Sequence, residues 1–339
     1  MFSQVLNLAL ADLDALDRYI ATAENVRGIL SSVNHPQVLE LEATVPNSAE
    51  WAILDHSSAV LRTYAVYQGF VADLIGSVLS MLPELYTYRE LGQSFDNEFC
   101  AGVAHLIQKR THRRYANLDI DVVIGSLHGA QAGNPSYVIT PEAMLRTEEN
   151  IRLNTLDGLF RRVNITTVLS WVNNHYAVTD YFQEASRQDT VESMLGKLVG
   201  FRNDAAHGSQ IDEVLSRDEL RSYNKFVCAI CRALCEMCHH WVLTRREERG
   251  DISSVGHVSE SFRKNVVVAK VRGVFLSVGQ QVVARGAHYC YGAKIQSLMY
   301  NDKPVHGLAL EKTTEVGIKT DQRLRKGAEI YTHVGALFL

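Results

Sequence analysis

The chain has little of what marks several common protein classes. Its 339 residues contain only 6 prolines and no low-complexity run, so we do not expect a large disordered region. No stretch approaches the roughly 18 consecutive apolar residues of a membrane-spanning helix. Residues 1–16 lack the basic segment that opens a signal peptide and contain Asp12 and Asp14, so we expect neither a leader nor a membrane anchor.

Cysteine usage and charge exclude further classes. Four of the 6 cysteines fall between Cys228 and Cys238, without the spacing of a disulfide framework, and this usage is typical of the reducing cytoplasm. The net charge of -4 provides no global positive field, so any contact with nucleic acid must use local basic patches. The phosphate-binding pattern G-x-x-x-x-G-K-[ST] does not occur, which excludes a P-loop NTPase.

Two hydrophobic periodicities divide the chain. Apolar residues at steps of three and four predict helices at 3–31, 48–83, 97–109, 141–153, 189–200 and 217–248. From residue 265 onward the period becomes two, with turns at Gly279, Asn301-Asp302 and Gly327, which indicates a small β-barrel or sandwich. We therefore predict a multi-domain α + β protein: an all-α helical bundle over 1–250 with a loop or insertion at about 110–141, a linker at 251–264, and a small all-β barrel over 265–339.

The cysteine cluster contains the ligand types of a zinc site, since Cys228, Cys231, Cys235 and Cys238 precede two histidines. In one helix these four cysteines span about 15 Å at 1.5 Å per residue. One zinc ion cannot collect all four, because it binds sulfur at about 2.3 Å. Free cysteine behaves as a small buried apolar residue, so we predict core packing for the cluster, and we assign neither a metal nor a cofactor.

The most informative segment for chemistry is 202–207, which reads Arg-Asn-Asp-Ala-Ala-His. The guanidinium of Arg202 offers a planar fork of donors that matches phosphate oxygens. The imidazole of His207 titrates near neutrality and can take or give a proton. In an ideal helix a spacing of five residues separates the two side chains by about 140°. The pair would therefore work at a bent helix start, or in a cleft that two copies share across a dimer axis.

Three segments resemble HEPN-domain proteins. Residues 198–208 are similar to the R-N-x-x-x-H signature, and residues 61–79 to the tyrosine-rich Y-x-x-x-E-G-F helix of prokaryotic members, with Gln68 where an acidic residue is common. Residues 150–165 are similar to the middle helix, and the order is preserved over 1–245. The resemblance implies an all-α fold, a homodimer, and often a metal-independent ribonuclease in toxin–antitoxin or antiphage systems, with an antitoxin or defence-system protein as a further partner.

The same resemblance assigns roles to the motif. Arg202, Asn203 and His207 become the candidate catalytic residues, with Asp204 in support. His207 would act as base on a ribose 2′-OH or as acid on the 5′-oxygen, Arg202 would stabilise charge on the phosphorus oxygens, and Asn203 would orient His207 or donate to phosphate. RNA, tRNA included, would be cut to 2′,3′-cyclic phosphate and 5′-OH ends. Some HEPN proteins bind without cutting, so the alternative is a non-catalytic module for RNA, nucleotide or a partner protein.

The densest basic run is a candidate site for the RNA backbone. Lys109, Arg110, Arg113 and Arg114 would contact phosphates, and Tyr115 would stack on a base. The alternative is a solvated helix end, where the helix dipole favours cations.

The C-terminal strands have a second resemblance. Residues 270–280, 294–298, 315–319 and 326–331 are similar, in order, to the β-barrel that forms domain 2 of elongation factor Tu and related translation factors. The resemblance implies contact with tRNA or another structured RNA. A barrel for dimerisation or for a partner protein is the alternative, and a purely structural adaptor could be built on it.

Overall fold

The N-terminal part of the chain is helical. The computed structural model describes residues 1–32, 46–146, 149–185, 188–207, 211 and 213–332. Its α-helices are α1 (Phe2–Ser32), α2 (Ser48–Leu85), α3 (Gly92–Gln108), α4 (Ile120–Gln131), α5 (Pro141–Met144), α6 (Leu153–Arg162), α7 (Val168–Asn174), α8 (Tyr176–Glu184), α9 (Val191–His207) and α10 (Arg217–Glu248).

Side-chain caps determine where two of the long helices begin. The Asn47 side chain accepts hydrogen bonds from the N–H groups of Ala49 and Glu50, and the Glu50 carboxylate accepts one from the N–H of Asn47. Ser216 and Glu219 form the same capping box at the start of α10. Each box satisfies N–H groups that a first helical turn leaves unpaired. The predicted bounds of α10 are confirmed.

The helices α1, α2 and α10 pack against one another through buried apolar faces and enclose the largest core. Polar contacts also join α1 to α10. Arg221 donates from Nε and Nη2 to the two carboxylate oxygens of Asp17, at 2.9 Å each, and Asn224 Nδ2 donates to the Leu13 carbonyl at 2.7 Å. The first helix therefore completes its packing only with the last helix of the bundle.

Two of the helical predictions are corrected. The segment 110–141, predicted as a loop or insertion, contains α4, because Asp119 caps its first turn and Val123 is buried beneath it. The stabilisation from this cap and from this burial outweighs the low helix propensity of the two glycines within the helix. The predicted helix 141–153 is helical only over the four residues of α5, and the next helix begins at Leu153.

The C-terminal part is a closed antiparallel β-barrel. Its main sheet has the order β4-β9-β1-β2-β8-β5-β6, and β4 also pairs with β5, which closes the barrel; β3 and β7 form a separate ladder. The strands are β1 (Gly256–Ser261), β2 (Val266–Val271), β3 (Val274–Ser277), β4 (Gln281–Gly286), β5 (Tyr289–Tyr300), β6 (Lys303–Val305), β7 (Gly307–Leu310), β8 (Thr314–Thr320) and β9 (Glu329–Tyr331).

The period-two pattern and the predicted turns are confirmed. Along β2, Val267, Ala269 and Val271 are buried and alternate with more accessible residues, as expected of a strand with one face in the core. Asn301 and Asp302 have positive φ values of 49° and 59°, which is typical of the tight hairpin turn that joins β5 to β6.

The predicted linker 251–264 is corrected, because β1 lies within it. This strand pairs with β2 on one side and with β9 on the other. The polar Ser and Glu residues that suggested a linker occupy the accessible positions of the strand.

The barrel packs directly on α10. The Glu236 carboxylate accepts a hydrogen bond from the Cys290 N–H at 3.1 Å, and the Tyr331 hydroxyl donates to Glu247 at 2.8 Å. Cys290, Tyr331 and Val283 are buried within the core of the helices rather than the core of the barrel. The two domains therefore share part of one hydrophobic core.

Among the described residues, two helices, α2 and α10, are long and apolar enough to cross a membrane by length and composition alone. Their most apolar windows are 56% and 83% buried inside the protein. Packing against neighbouring helices accounts for their apolar character.

Candidate functional site

Residues 202–207 form the final turns of α9, a continuous helix that ends at His207. The predicted alternative of a bent helix start is therefore wrong, since the motif lies at a C-terminal end. Because the helix is regular, Arg202 and His207 project about 140° apart and lie on different faces. The imidazole in the last turn occupies the position where the helix dipole favours positive charge.

Arg202 is partly buried and held from two directions. Its Nη1 donates to Asn203 Oδ1 at 3.2 Å, and its guanidinium lies over the Tyr64 ring, 5.4 Å from the centroid, which is a cation–π geometry. Asn203 Oδ1 also accepts a hydrogen bond from Asn150 Nδ2 at 3.0 Å. Asn203 therefore orients Arg202, whereas the sequence suggested that it would orient His207.

Tyr64 connects α2 to the segment that contains Asn150. Its hydroxyl accepts a hydrogen bond from the Ile151 N–H at 2.8 Å. Burial raises the pKa of the Tyr64 phenol, and the hydrogen bond from Ile151 and the charges of Arg202 and Arg152 oppose this shift. The phenol therefore stays neutral at neutral pH and presents its π face to the guanidinium.

His207 and Asp204 are exposed, and a second histidine lies buried near them. His56 is 0% exposed, and its Nδ1 accepts a hydrogen bond from the Leu215 N–H at 3.1 Å. Burial lowers the pKa of His56, and the carboxylates of Glu213 and Asp204 oppose this shift. His56 is therefore a neutral imidazole with its proton on Nε2, an atom for which the described residues supply no hydrogen-bond partner.

The predicted basic run lies partly at a cavity of about 530 Å³. Lys109, Arg114 and Tyr115 line this cavity, whereas Arg110 and Arg113 lie outside its described lining. We call it the basic cavity; the other residues that line it are His105, His112, Arg146 and Arg162. Within the described part of the chain, its lining includes no carboxylate.

Arg146 and Arg162 form a rigid wall of the basic cavity. Arg162 Nη1 donates to the carbonyl oxygens of Met144 at 3.1 Å and of Arg146 at 2.6 Å. The Glu98 carboxylate pairs with both guanidinium groups from outside the lining, at 2.5 Å from Arg146 and 3.5 Å from Arg162. These contacts hold the two guanidinium groups side by side in the cavity wall.

Tyr115 is only 6% exposed. Its ring meets the imidazoles of His105 and His112 at centroid distances of 6.0 and 6.2 Å, and the Arg114 guanidinium lies over it at 5.6 Å. The ring is thus covered by its neighbours, and the base-stacking role predicted for Tyr115 is corrected to that of a buried support for Arg114.

The cysteines of α10 belong to the core. Cys231, Cys235 and Cys238 are at most 1% exposed, which confirms the predicted core packing for these three, and Cys228 is partly buried against the same core. Burial raises the pKa of the Cys231 and Cys238 thiols well above the usual range, so these thiols stay protonated and unreactive. Nowhere in the described ranges are three or more His, Cys, Asp or Glu residues grouped so that they could hold a metal ion.

Sequence reasoning missed the residues that complete both sites. Asn150 lies 53 positions from Asn203, and His56 lies 159 positions from Leu215, so no local periodicity connects these pairs. The available signals were the segments 61–79 and 150–165, which resemble family helices and contain Tyr64 and Asn150. Arg146 and Arg162 had no signal beyond their charge.

The match of a family model supplies the identity of the helical part. The model for MAE_28990-like HEPN domains matches residues 15–246, more than half of the chain. The chain belongs to this HEPN family. Members of HEPN families are often nucleases or act on RNA, and the match spans Tyr64, Asn150 and the motif. No curated protein matches the chain.

Proposed function

We propose that this HEPN protein is a metal-independent endoribonuclease whose cleft forms between two copies of the chain. The observation that supports this most directly is the state of the motif. Arg202 is oriented by Asn203 and Tyr64 near the end of α9, and His207 is exposed in the last turn of the same helix. A fixed cation and an accessible imidazole are the groups that phosphodiester cleavage requires.

The geometry favours a cleft shared by two protomers. A single regular helix directs Arg202 and His207 to different faces. Across a two-fold axis, two helix ends would instead contribute two arginines and two histidines to one cleft. One histidine would then act as base and the other as acid, as a two-proton reaction requires.

Each group has a defined step. A neutral His207 takes the proton from the ribose 2′-OH. At the same time the 2′-oxygen attacks phosphorus, so that the O2′–P bond forms. The P–O5′ bond breaks, and the protonated His207 of the other protomer gives its proton to the leaving 5′-oxygen. Arg202 stabilises the charge that develops on the non-bridging oxygens. The products are a 2′,3′-cyclic phosphate and a 5′-OH end.

Exposed apolar residues near the motif support the dimer. Ile53 and Leu54 are 39% and 53% exposed and lie just before His56 on α2, and Val214 is 38% exposed beside Leu215. Since His56 and Leu215 are hydrogen-bonded, these side chains belong to one region of the surface. Apolar patches of this kind mark protein–protein contacts. We propose that the patch forms part of the homodimer interface next to the shared cleft.

The setting we propose is cytoplasmic, in a toxin–antitoxin or antiphage system, with an antitoxin or defence-system protein as regulator. The C-terminal barrel would select the RNA, tRNA or another structured RNA, as its resemblance to translation-factor barrels suggests. Lys109 and Arg114 would contribute to the positive surface that RNA needs on a chain of net charge -4.

The test is cleavage of cellular RNA by the purified full chain in the presence of EDTA. We expect Arg202→Ala and His207→Ala each to lower the rate by about 10²–10⁴-fold. The exposed residues Arg89 and His257 provide matched controls, Arg89→Ala and His257→Ala, which should keep the wild-type rate. A substrate in which the 2′-OH next to the scissile phosphate is replaced by hydrogen should resist cleavage. Cleavage that survives both motif substitutions would contradict the proposed site.

Mixed dimers test whether the cleft is shared. Wild-type chains are co-refolded with an excess of chains that carry both Arg202→Ala and His207→Ala. In a shared cleft, each mixed dimer lacks one of its two histidines, so the rate per wild-type chain should fall as the excess grows. Separate clefts in each protomer predict an unchanged rate per wild-type chain. If the wild type cuts no cellular RNA at all, the chain is instead the non-catalytic HEPN module, and binding to RNA, nucleotide or a partner protein is its function.

A further inference from the structure

Arg152 is a second arginine beside the motif, and the reaction proposed above does not use it. Its Nη1 lies 3.6 Å from the position that a Cβ on Gly196 of α9 would occupy. Burial raises the pKa of the Tyr64 phenol, and the charges of both Arg202 and Arg152 oppose this shift. Two guanidinium groups therefore lie around one tyrosine at the edge of α9.

The stability of the fold does not explain an arginine at position 152. Arg152 is the N-cap residue of α6, and its side chain makes no capping hydrogen bond. Ser, Thr, Asp and Asn are the residues that cap a helix well, and the helix dipole disfavours a cation at this end. Among the residues that the structure describes, Arg152 has no carboxylate partner. It is also exposed, so its N–H donors are available to an anion from outside the chain.

The guanidinium of Arg152 lies against the face of α9 that also carries His207. Residues on this face recur at steps of four, three and four: Gly196, Gly200, Asn203 and His207. Nothing lies within 4 Å of a Cβ added to Gly200, so the surface between the two ends of this face is open. From Gly196 to His207 the helix rises by about 16 Å, at 1.5 Å per residue. A ligand that reaches both ends therefore needs more than one phosphate group.

We propose that Arg152 binds a neighbouring phosphate of the RNA strand whose scissile phosphate lies at Arg202 and His207. This inference rests on the proposed ribonuclease, and it narrows the substrate to a single-stranded segment of several nucleotides. A guanidinium holds phosphate oxygens through two parallel hydrogen bonds. An A-form duplex presents its phosphates on two strands across a groove, whereas Arg152 and His207 lie along one helix face. In a tRNA or another structured RNA, a loop provides such a segment.

The first test measures binding without cleavage. The ligand is a fluorescent single strand of about ten nucleotides with 2′-O-methyl groups, which cannot react, and fluorescence anisotropy follows its binding to the full chain. Arg152→Gln should weaken binding by about tenfold or more, because charge-assisted contacts are lost. Arg89→Gln makes the same change in charge at another exposed arginine and should change the affinity by less than about threefold.

The salt dependence of binding separates a phosphate contact from an effect on the fold. For a single strand, the slope of log K against log salt is about -0.7 per phosphate contact. The slope for Arg152→Gln should therefore be less steep by about 0.7 for each contact that is lost. Arg89→Gln should retain the wild-type slope. If Arg152 acted only on stability, Arg152→Gln would reduce the amount of folded protein and leave the slope unchanged.

A second substitution should separate stability from binding. Asp is a favoured N-cap residue, and its negative charge suits the N-terminal end of a helix. Arg152→Asp should therefore keep or raise the midpoint of thermal unfolding. It should also weaken binding of the strand more than Arg152→Gln does, because it repels phosphate. A lower midpoint together with weaker binding would show that Arg152 acts on the fold instead.

Cleavage kinetics show which phosphate Arg152 contacts. Arg152→Gln should raise KM for a cleavable strand of about ten nucleotides and leave kcat nearly unchanged. A dinucleotide has only the scissile phosphate, so Arg152→Gln should cut it at the wild-type rate. Arg202→Ala should lower the rate for both substrates. Loss of dinucleotide cleavage in Arg152→Gln would contradict the assignment to a neighbouring phosphate.

Further results would overturn the proposal. They are an unchanged affinity or salt slope in Arg152→Gln, no binding of the single strand by the wild type, or a matched duplex bound more tightly than the strand. Binding that depends on Arg152 in a chain that cuts no RNA would contradict only the ribonuclease. Cleavage of the long strand that is lost in Arg202→Ala but identical in the wild type and Arg152→Gln would contradict only this proposal.

Discussion

At the scale of single residues, two tyrosines on α2 show how closely the site depends on individual hydrogen bonds. Both Tyr64 and Tyr67 are buried. The Tyr64 hydroxyl accepts the Ile151 N–H, whereas the Tyr67 hydroxyl has no hydrogen-bond partner among the described residues. A buried polar group stabilises the fold only when it is paired, so the two hydroxyls contribute with opposite sign.

This difference gives a stability prediction. Tyr64→Phe leaves the Ile151 N–H without its acceptor and should lower the free energy of unfolding by about 1–3 kcal/mol. The matched variant Tyr67→Phe removes an unpaired hydroxyl and should leave the free energy of unfolding unchanged or raise it. Urea unfolding monitored by circular dichroism measures both. Equal destabilisation by the two substitutions would contradict the assigned hydrogen bond.

At the scale of elements, a close approach of two helices positions the rigid wall of the basic cavity. A Cβ atom on Gly102 of α3 would lie 2.1 Å from the carbonyl oxygen of Ala143 in α5. Only glycine permits this distance. The contact holds α5, which ends at Met144, against α3. Arg162 donates to the carbonyl of Met144 and to the carbonyl of Arg146, which follows α5.

Adding one methyl group tests this packing. Gly102→Ala should destabilise the fold by about 1–3 kcal/mol, because a backbone atom has to move. Gly69→Ala in α2 is the control, since nothing lies within 4 Å of its added Cβ. There the higher helix propensity of alanine should stabilise the fold by about 0.5–1 kcal/mol. Thermal unfolding of the two variants should therefore shift in opposite directions.

The elements also show what a sequence predicts and what it does not. The bounds of α10 followed from a sustained apolar period, and the structure adds a capping box at Ser216. The helix α4 was missed because Gly125 and Gly129 obscured a pattern that Asp119 and burial sustain. For the site, the chemistry of Arg202 and His207 was visible in six residues. The contacts of Arg202 with Tyr64, and of Asn203 with Asn150, depend on tertiary packing, which no spacing encodes.

At the scale of the whole molecule, α10 belongs to both domains. Glu236 is nearly buried on this helix and accepts hydrogen bonds from the Tyr176 hydroxyl and the Cys290 N–H. Three barrel residues, Val283, Cys290 and Tyr331, are buried in the helical core. Because buried apolar contacts stabilise a fold, we expect the barrel to stabilise the helices.

Glu236 provides a test of that shared packing. Glu236→Ala removes the acceptor for two buried donors and should lower the free energy of unfolding by about 2–4 kcal/mol. The control is the exposed Glu315, which pairs with Lys270 at 3.3 Å on the barrel surface. Glu315→Ala should change the free energy of unfolding by no more than about 0.5 kcal/mol. Fluorescence and circular dichroism during urea unfolding provide the measurement. A loss of stability that affects only the β-sheet signal of the barrel, with the helical signal unchanged, would contradict the shared core.

Acid should weaken the same interface. Burial and the charge of Arg285 lower the pKa of His240 to about 4, with Glu329 opposing the shift. In the unfolded chain an ordinary histidine binds its proton near pH 6.5. Neutral His240 therefore contributes its full stabilisation of the fold above about pH 6.5, and this contribution is lost as the pH falls toward 4. We expect a loss of about 1–2 kcal/mol over this window after solvent screening.

The measurement is the free energy of unfolding as a function of pH. His240→Gln should reduce the decrease between pH 6.5 and 4, whereas removal of the exposed His257 by His257→Gln should leave the wild-type curve. Parallel curves for the wild type and His240→Gln would show that protonation of His240 does not weaken the interface.

The pairing of α1 with α10 has a consequence for synthesis on the ribosome. Asp17 and Leu13 meet their partners Arg221 and Asn224 more than two hundred positions later, at separations of 204 and 211. At about 5–20 residues per second, the nascent helix α1 waits on the order of 10–40 s for α10 to be translated. The motif emerges in that interval without the helix that packs against Phe201 through Tyr223. We therefore expect the packing around the motif to be complete only after α10 has been translated.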